Sequence, residues 1–276
     1  MPDESLQLLK GVRVLTREAQ HRKALGAPGV FAVLRHMARC ANRPDVAAEA
    51  ANVLLNLCYE VPNVAAVLEG GGALLLVACL RRPHAELQAN AAGALQSICF
   101  LDLGRRAVVE AGGVLPLTSL LQAPEAHVHA RAAGALHNLS SHPEAIRIIR
   151  MADAVPRLTE LLRSQDWQIC GSAAGILQNM SREVASRALI RKHDAVHALI
   201  MVLAAPDIQV QATAAGALLN VLGSDQDKEN LSGPDQQSQR RALMRELIAN
   251  IISLSAAHDV LFQTMPSIGP AGFLYQ

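Results

Sequence analysis

Aromatic residues are scarce in this sequence. Trp, Tyr and Phe together make up 3% of its 276 residues, which suits helices that pack through small side chains. An excess of charge is also lacking. Twenty-five Lys and Arg stand against 24 Asp and Glu, and the net charge of +1 gives no basis for holding nucleic acid or an anionic membrane surface. No apolar run approaches the roughly 20 residues of a membrane-spanning helix, so no membrane insertion is expected. The start, Met1-Pro2-Asp3-Glu4-Ser5, lacks the basic and apolar regions of a secretory signal. The five cysteines (Cys40, Cys58, Cys79, Cys99 and Cys170) show no CxxC spacing and fall on apolar helical positions. That is the pattern of reduced, buried thiols, and the expected location is cytoplasmic, also nuclear. The sequons Asn138-Leu139-Ser140 and Asn179-Met180-Ser181 lie on expected helices and are set aside as chance matches.

The motifs of chemistry are lacking too. No GxGxxG follows a strand, no phosphate-loop motif occurs, and no strand alternation is visible. His193 and His197 share a helical face, but no Glu-x-x-His or cysteine pair accompanies them, and His127 and His129 face different ways. No metal, cofactor or catalytic site is expected.

What the sequence does contain is a repeat. The octets beginning at Ala50, Ala91, Ala132, Ala173 and Ala214 align without a gap, and their seventh residues are Asn56, Ser97, Asn138, Asn179 and Asn220, so every step is 41 residues. A period of this size is that of arrays whose units hold two or three helices. Before each octet but the first stands a short apolar run such as Val114-Leu115-Pro116-Leu117, opened by a Gly- or Asp-containing turn (Gly70-Gly71-Gly72, Gly112-Gly113, Asp153, Asp194). Pro116 and Pro156 fall in first turns, where the missing amide hydrogen costs nothing. A further amphipathic stretch such as Ala145–Ile149 completes three helices per unit. Such units stack into one elongated domain, each touching its neighbours.

Gly-Gly-Val-Leu-Pro-Leu-x-x-Leu-Leu followed by Ala-Ala-Gly-Ala-Leu-x-Asn-Leu resembles the armadillo repeat, over residues 25–223. The resemblance implies an all-α fold, a right-handed α-solenoid (superhelix) of three-helix repeats. It also implies a concave groove in which the repeated asparagine bonds the main chain of an extended peptide, a role suited to a carboxamide with its donor and acceptor.

Counted from that asparagine as position 0, positions −5, −2 and +1 form one apolar stripe, while 0, −4, −7 and +3 point away from it. In the family that outer stripe lines the groove, so the resemblance implies as partner-binding residues Asn56, Asn138, Asn179 and Asn220, with Ser97 as a weaker rung, and Asn90, Arg131 and Arg182 beside them. The competing role for the asparagines is a bond to the neighbouring repeat. Importin-α places Trp at −4 to stack on the lysines of its cargo. Here −4 is Asn52, Gly93, Gly134, Gly175 and Gly216, and Glu49 and Glu60 alternate with Arg131 and Arg182, so that mechanism is not supported. The glycine pattern is closer to β-catenin and plakophilin. Phe100 is expected to be buried under the following loop, Tyr59 is left open, and Trp167 is expected to be a structural plug.

Residues 1–24 read as a capping helix or partial repeat, since Ser5–Arg17 resembles a third helix without its preceding pair. Residues 224–239 read as a polar disordered loop holding the triplet Lys228-Glu229-Asn230, which resembles a KEN degradation signal. Residues 240–256 read as a capping helix, and 257–276 as an irregular tail carrying Phe262, Phe273 and Tyr275. The expected function is an intracellular adaptor holding a protein or peptide partner, with oligomeric state open. The alternatives are a chaperone or assembly factor holding client proteins, as UCS-type solenoids do, and a non-catalytic module of a larger protein.

Overall fold

The computed structural model describes residues 4–40 and 42–223. The expected loop over 224–239 with its triplet, the helix over 240–256 and the tail from 257 lie outside the described residues. Among the described residues all regular structure is helical, in fifteen helices.

The first three are α1 (Glu4–Leu15), α2 (Ala19–Arg39) and α3 (Pro44–Leu57). Four triplets follow: α4 (Val61–Glu69), α5 (Gly72–Leu80) and α6 (Ala85–Ile98); α7 (Asp102–Glu110), α8 (Val114–Leu120) and α9 (Ala126–Leu139); α10 (Pro143–Met151), α11 (Val155–Leu161) and α12 (Trp167–Met180); α13 (Val184–Lys192), α14 (Ala195–Val202) and α15 (Ile208–Gly223). The α2 helix is two limbs joined at Gly26 (φ 48°, ψ −155°), two residues before Pro28. Its limbs stand where the first and second helices of a repeat would, and it runs through residues 24 and 25.

Third helices stack in one row, α1 on α3 on α6 on α9 on α12 on α15. Position −5 is Ala51, Ala92, Ala133 and Ala174, each fully buried with the leucines at −2 behind it. A methyl group at the contact is what lets these helices approach closely over the whole row. The turn between first and second helices uses left-handed backbone at Gly71 (φ 73°), Gly112 (φ 69°), Asp153 (φ 51°) and Asp194 (φ 58°), again one period apart. Glycine enters that region freely, and Asp is among the few side chains that tolerate it, which is why this position holds one or the other.

Two repeated side chains tie down carbonyls at the end of a helix or in the turn just past it, where no helical partner is available. At position −9, Gln88 donates to Leu80 O (3.2 Å), Cys170 to Ser164 O (3.1 Å) and Gln211 to Ala205 O (2.7 Å), and a His129 ring nitrogen lies 3.1 Å from Ala123 O. On the first helices, Arg22, Arg105 and Arg187 each donate to two carbonyls just past the preceding third helix.

Candidate functional site

The third helices line one face of the solenoid, and between α9, α12 and α15 that face is hollowed into a groove of about 830 Å³. Its lining repeats by helical position. Position −1 contributes Gln96, His137 and Gln178, position −7 contributes Arg131, Ser172 and Thr213, and position −8 contributes Ala130 and Gly171. The edge at the start of α12 and α15 contributes Asp166, Trp167, Gln168, Asp207 and Gln209.

The four asparagines at position 0 do something specific. Each turns its Nδ2 back to the preceding unit, toward the carbonyl of that unit's −1 residue or its equivalent. Asn138 donates directly to Gln96 O at 2.9 Å. Asn179 donates to Ser140 Oγ (2.9 Å), which itself donates to His137 O (2.7 Å). Asn220 donates to Ser181 Oγ (3.0 Å), which donates to Gln178 O (2.6 Å). Asn56 reaches Thr16 Oγ1 (3.1 Å) and Arg13 O (3.3 Å), and Thr16 Oγ1 donates to the same Arg13 O. These carbonyls belong to the last turns of third helices, so each asparagine is a C-cap supplied by the next repeat. Among the described residues their Oδ1 atoms receive no hydrogen bond, and Asn179 is only 7% exposed. Ser97, in the same row, makes no such bond.

Of the other residues singled out from sequence, Asn90 is spent within the solenoid: its Nδ2 donates to Ala48 O (3.0 Å) and its Oδ1 accepts from Asn52 (3.2 Å). Arg131 lines the groove, its Cδ lying over the bare backbone of Gly93. Arg182 is exposed but does not line it. Neither guanidinium has an ion-pair partner among the described residues. The acids weighed against them from sequence lie in the first repeat of the row and are paired there, Glu49 with Arg13 at 2.8 Å and Glu60 with Arg22 at 3.2 Å.

Two sequence expectations are corrected. Phe100 is 78% exposed, because the turn after α6 sends Leu101 inward instead and leaves position +3 facing out. Trp167, expected as a plug, is 37% exposed and forms part of the groove wall. Tyr59 is 64% exposed, and the Arg22 guanidinium stands 5.5 Å from its ring centre.

Sequence reasoning missed the −1 row. Each of its side chains lies across the glycine at −4 of the following repeat: Leu55 on Gly93, Gln96 on Gly134, His137 on Gly175 and Gln178 on Gly216. A Cβ at any of the last three glycines would strike the overlying carboxamide or imidazole. Four glycines in register were the available signal, since a glycine inside a helix costs about 1 kcal/mol against alanine and so marks something packed closely on it. Burial holds the His137 imidazole below its ordinary pKa, so at neutral pH the row Gln96–His137–Gln178 is uncharged.

The thiols fit a structural role. Burial pushes Cys58 up to about 12 and Cys79 to about 11, and raises Cys99 and Cys170 as well. Thiols held protonated in this way are poor nucleophiles.

The model of the armadillo/β-catenin-like repeat matches residues 102–141, which are α7, α8 and α9 with their turns. No curated protein matches the chain. An engineered protein of known crystal structure is 31% identical, covers 81% of this chain over 93% of its own length, and superposes with a TM-score of 0.71. A designed armadillo repeat protein is 22% identical with a TM-score of 0.68, over 80% of this chain and 95% of its own. A second designed armadillo repeat protein, solved in complex with the peptide (KR)4, is 21% identical with a TM-score of 0.66, over 78% of this chain and 91% of its own. The fold, the repeat unit and these matches agree, and the chain belongs to the armadillo repeat family.

Proposed function

We propose that this solenoid is a protein-binding scaffold that holds an extended segment of a partner polypeptide along the concave face of its third helices, and that it does so inside the cell without catalysing a reaction. The observation that carries the reading is the groove itself: about 830 Å³ walled by the same helical positions of three successive repeats. A surface with a translational repeat suits a ligand with one, and an extended chain is such a ligand. Designed relatives of this fold, one solved with a bound peptide and one made for modular peptide recognition, support the same use here. Five unpaired cysteines suit a reducing compartment.

The test is photocrosslinking in cells, with benzoylphenylalanine placed at Ser172 in the groove or at Ser119 on the second helix α8. Crosslinks from position 172 that map to one short contiguous segment of one partner would support the scaffold reading. A broad set of unfolded clients at 172 would favour the chaperone reading, and specific crosslinks from 119 alone would overturn the groove.

A further inference from the structure

The groove contains polar side chains that the solenoid does not use. Gln96, His137 and Gln178 are half-buried, lie flat on helix backbone, and make no side-chain hydrogen bond among the described residues. Their polar ends are free to exchange the water of the groove for the donors and acceptors of a ligand. Their main-chain carbonyls are meanwhile clamped, directly or through a serine, by the asparagines of the next repeat. So the rung is held at its backbone, supported from beneath by glycine, and open only toward the groove.

This deepens the proposed function and rests on it. We propose that Gln96, His137 and Gln178, rather than the asparagines beside them, are the rungs that hydrogen-bond the main chain of the bound segment. The segment carries an apolar side chain against Trp167 and an acidic one beside Arg131.

Charge selects these partners. The rungs are neutral, which matches a peptide main chain rather than a carboxylate or an ammonium. Arg131 is the groove's unpaired cation among the described residues. Asp166 and Asp207 also line the groove, but each carboxylate caps its own helix: Asp166 accepts from Gln168 N (2.8 Å), and Asp207 from Gln209 N (2.7 Å) and Val210 N (3.2 Å). There the positive end of the helix dipole offsets their charge. Leucines at both ends of the row, Leu55 and Leu219, bound it at three rungs. Packed helices stand about 8–10 Å apart and an extended residue advances about 3.3 Å, so three rungs serve about seven residues.

The experiment selects random dodecapeptides displayed on phage against the full chain. It then measures the winners as synthetic peptides against wild type and the Gln96→Met/Gln178→Met variant, which keeps the packing on Gly134 and Gly216 but cannot donate. Loss of two neutral hydrogen bonds predicts weakening of about tenfold to a hundredfold. N-methylation of alternate peptide amides should weaken binding to wild type comparably. The winners should share an acidic residue, and Arg131→Glu should turn that preference basic. Trp167→Ala, or Ser172→Tyr to fill the groove should the first variant fold poorly, tests whether the peptides lie in the groove at all. Peptides lost with the groove-blocking variants but indifferent to the methionine pair and to N-methylation would overturn the rungs and leave the groove standing. Winners without an acidic residue would overturn the partner chemistry. No winners, or winners indifferent to groove blocking, would overturn the groove reading as well.

Discussion

Replacing Ser97 by asparagine should stabilise the solenoid. Ser97 occupies position 0 of the repeat ending in α6, where its equivalents donate to the preceding unit and it does not. The closest guide is Asn138, because the preceding unit carries cysteine two residues past its own position 0 in both places, Cys99 for Asn138 and Cys58 for Ser97. Asn138 reaches past Cys99 to Gln96 O at 2.9 Å. An asparagine at 97 would reach past Cys58 to Leu55 O in the same way, capping the end of α3. A neutral hydrogen bond contributes about 0.5–1.5 kcal/mol net, and ordering the longer side chain takes back part of it, so the expected gain is about 0.5–1 kcal/mol. For a chain of this size that is a rise of about 2–4 °C per kcal/mol in the thermal midpoint, read by circular dichroism at 222 nm, with urea midpoints as the check. Asn138→Ala in the same background should lose about 1–2 kcal/mol, since it strands Gln96 O in a half-buried place. A neutral or destabilising Ser97→Asn together with a harmless Asn138→Ala would refute the capping argument and return the asparagines to the groove.

Three further outcomes are expected. Because burial lowers the His137 pKa, the unfolded chain takes up this proton first as the pH falls; stability should therefore decline below about pH 6.5. His137→Gln should flatten that decline, as urea midpoints across pH 5–8 would show. Ellman's reagent on the native protein should modify Cys40 quickly and the other four thiols only after denaturation, since Cys40 alone is half-exposed; rapid modification of a second thiol would contradict the packing. Gly104→Ala should destabilise by about 2 kcal/mol or more, because its Cβ would strike the backbone carbonyl of Ile98, which cannot move aside as a side chain can; unfolding in urea measures it.

Much of the fold was legible because a repeat states its rule several times. Five asparagine-type positions in register placed the third helices, and Gly or Asp one period apart marked the turns that open the second helices. The fused α2 helix was less legible: its two limbs meet at a single glycine with no Gly-Gly or Asp turn like those of the later units. Exposure at the turns was illegible for a simpler reason. Phe100 and Leu101 are adjacent apolar residues, and only the local backbone decides which of two such neighbours turns inward.

The proposed rungs stand one residue before the asparagines singled out from sequence, and the reason for the difference is geometric. One step along a helix rotates a side chain by 100°, so positions 0 and −1 both lie off the apolar stripe, and a wheel drawn for one helix cannot rank them. The decision is made between helices. The asparagine is long enough to reach back to the previous third helix and cap it, which uses its donors on the solenoid. The −1 residue reaches forward, onto the glycine of the next third helix, which leaves its polar end facing the groove. At Gln96, His137 and Gln178 the two contacts meet on the same residue: its carbonyl is held, directly or through a serine, by the following asparagine while its side chain rests on the following glycine. A rung fixed at both points has little freedom left to lose when it binds, which is how a shallow groove of neutral side chains could hold a peptide with useful affinity.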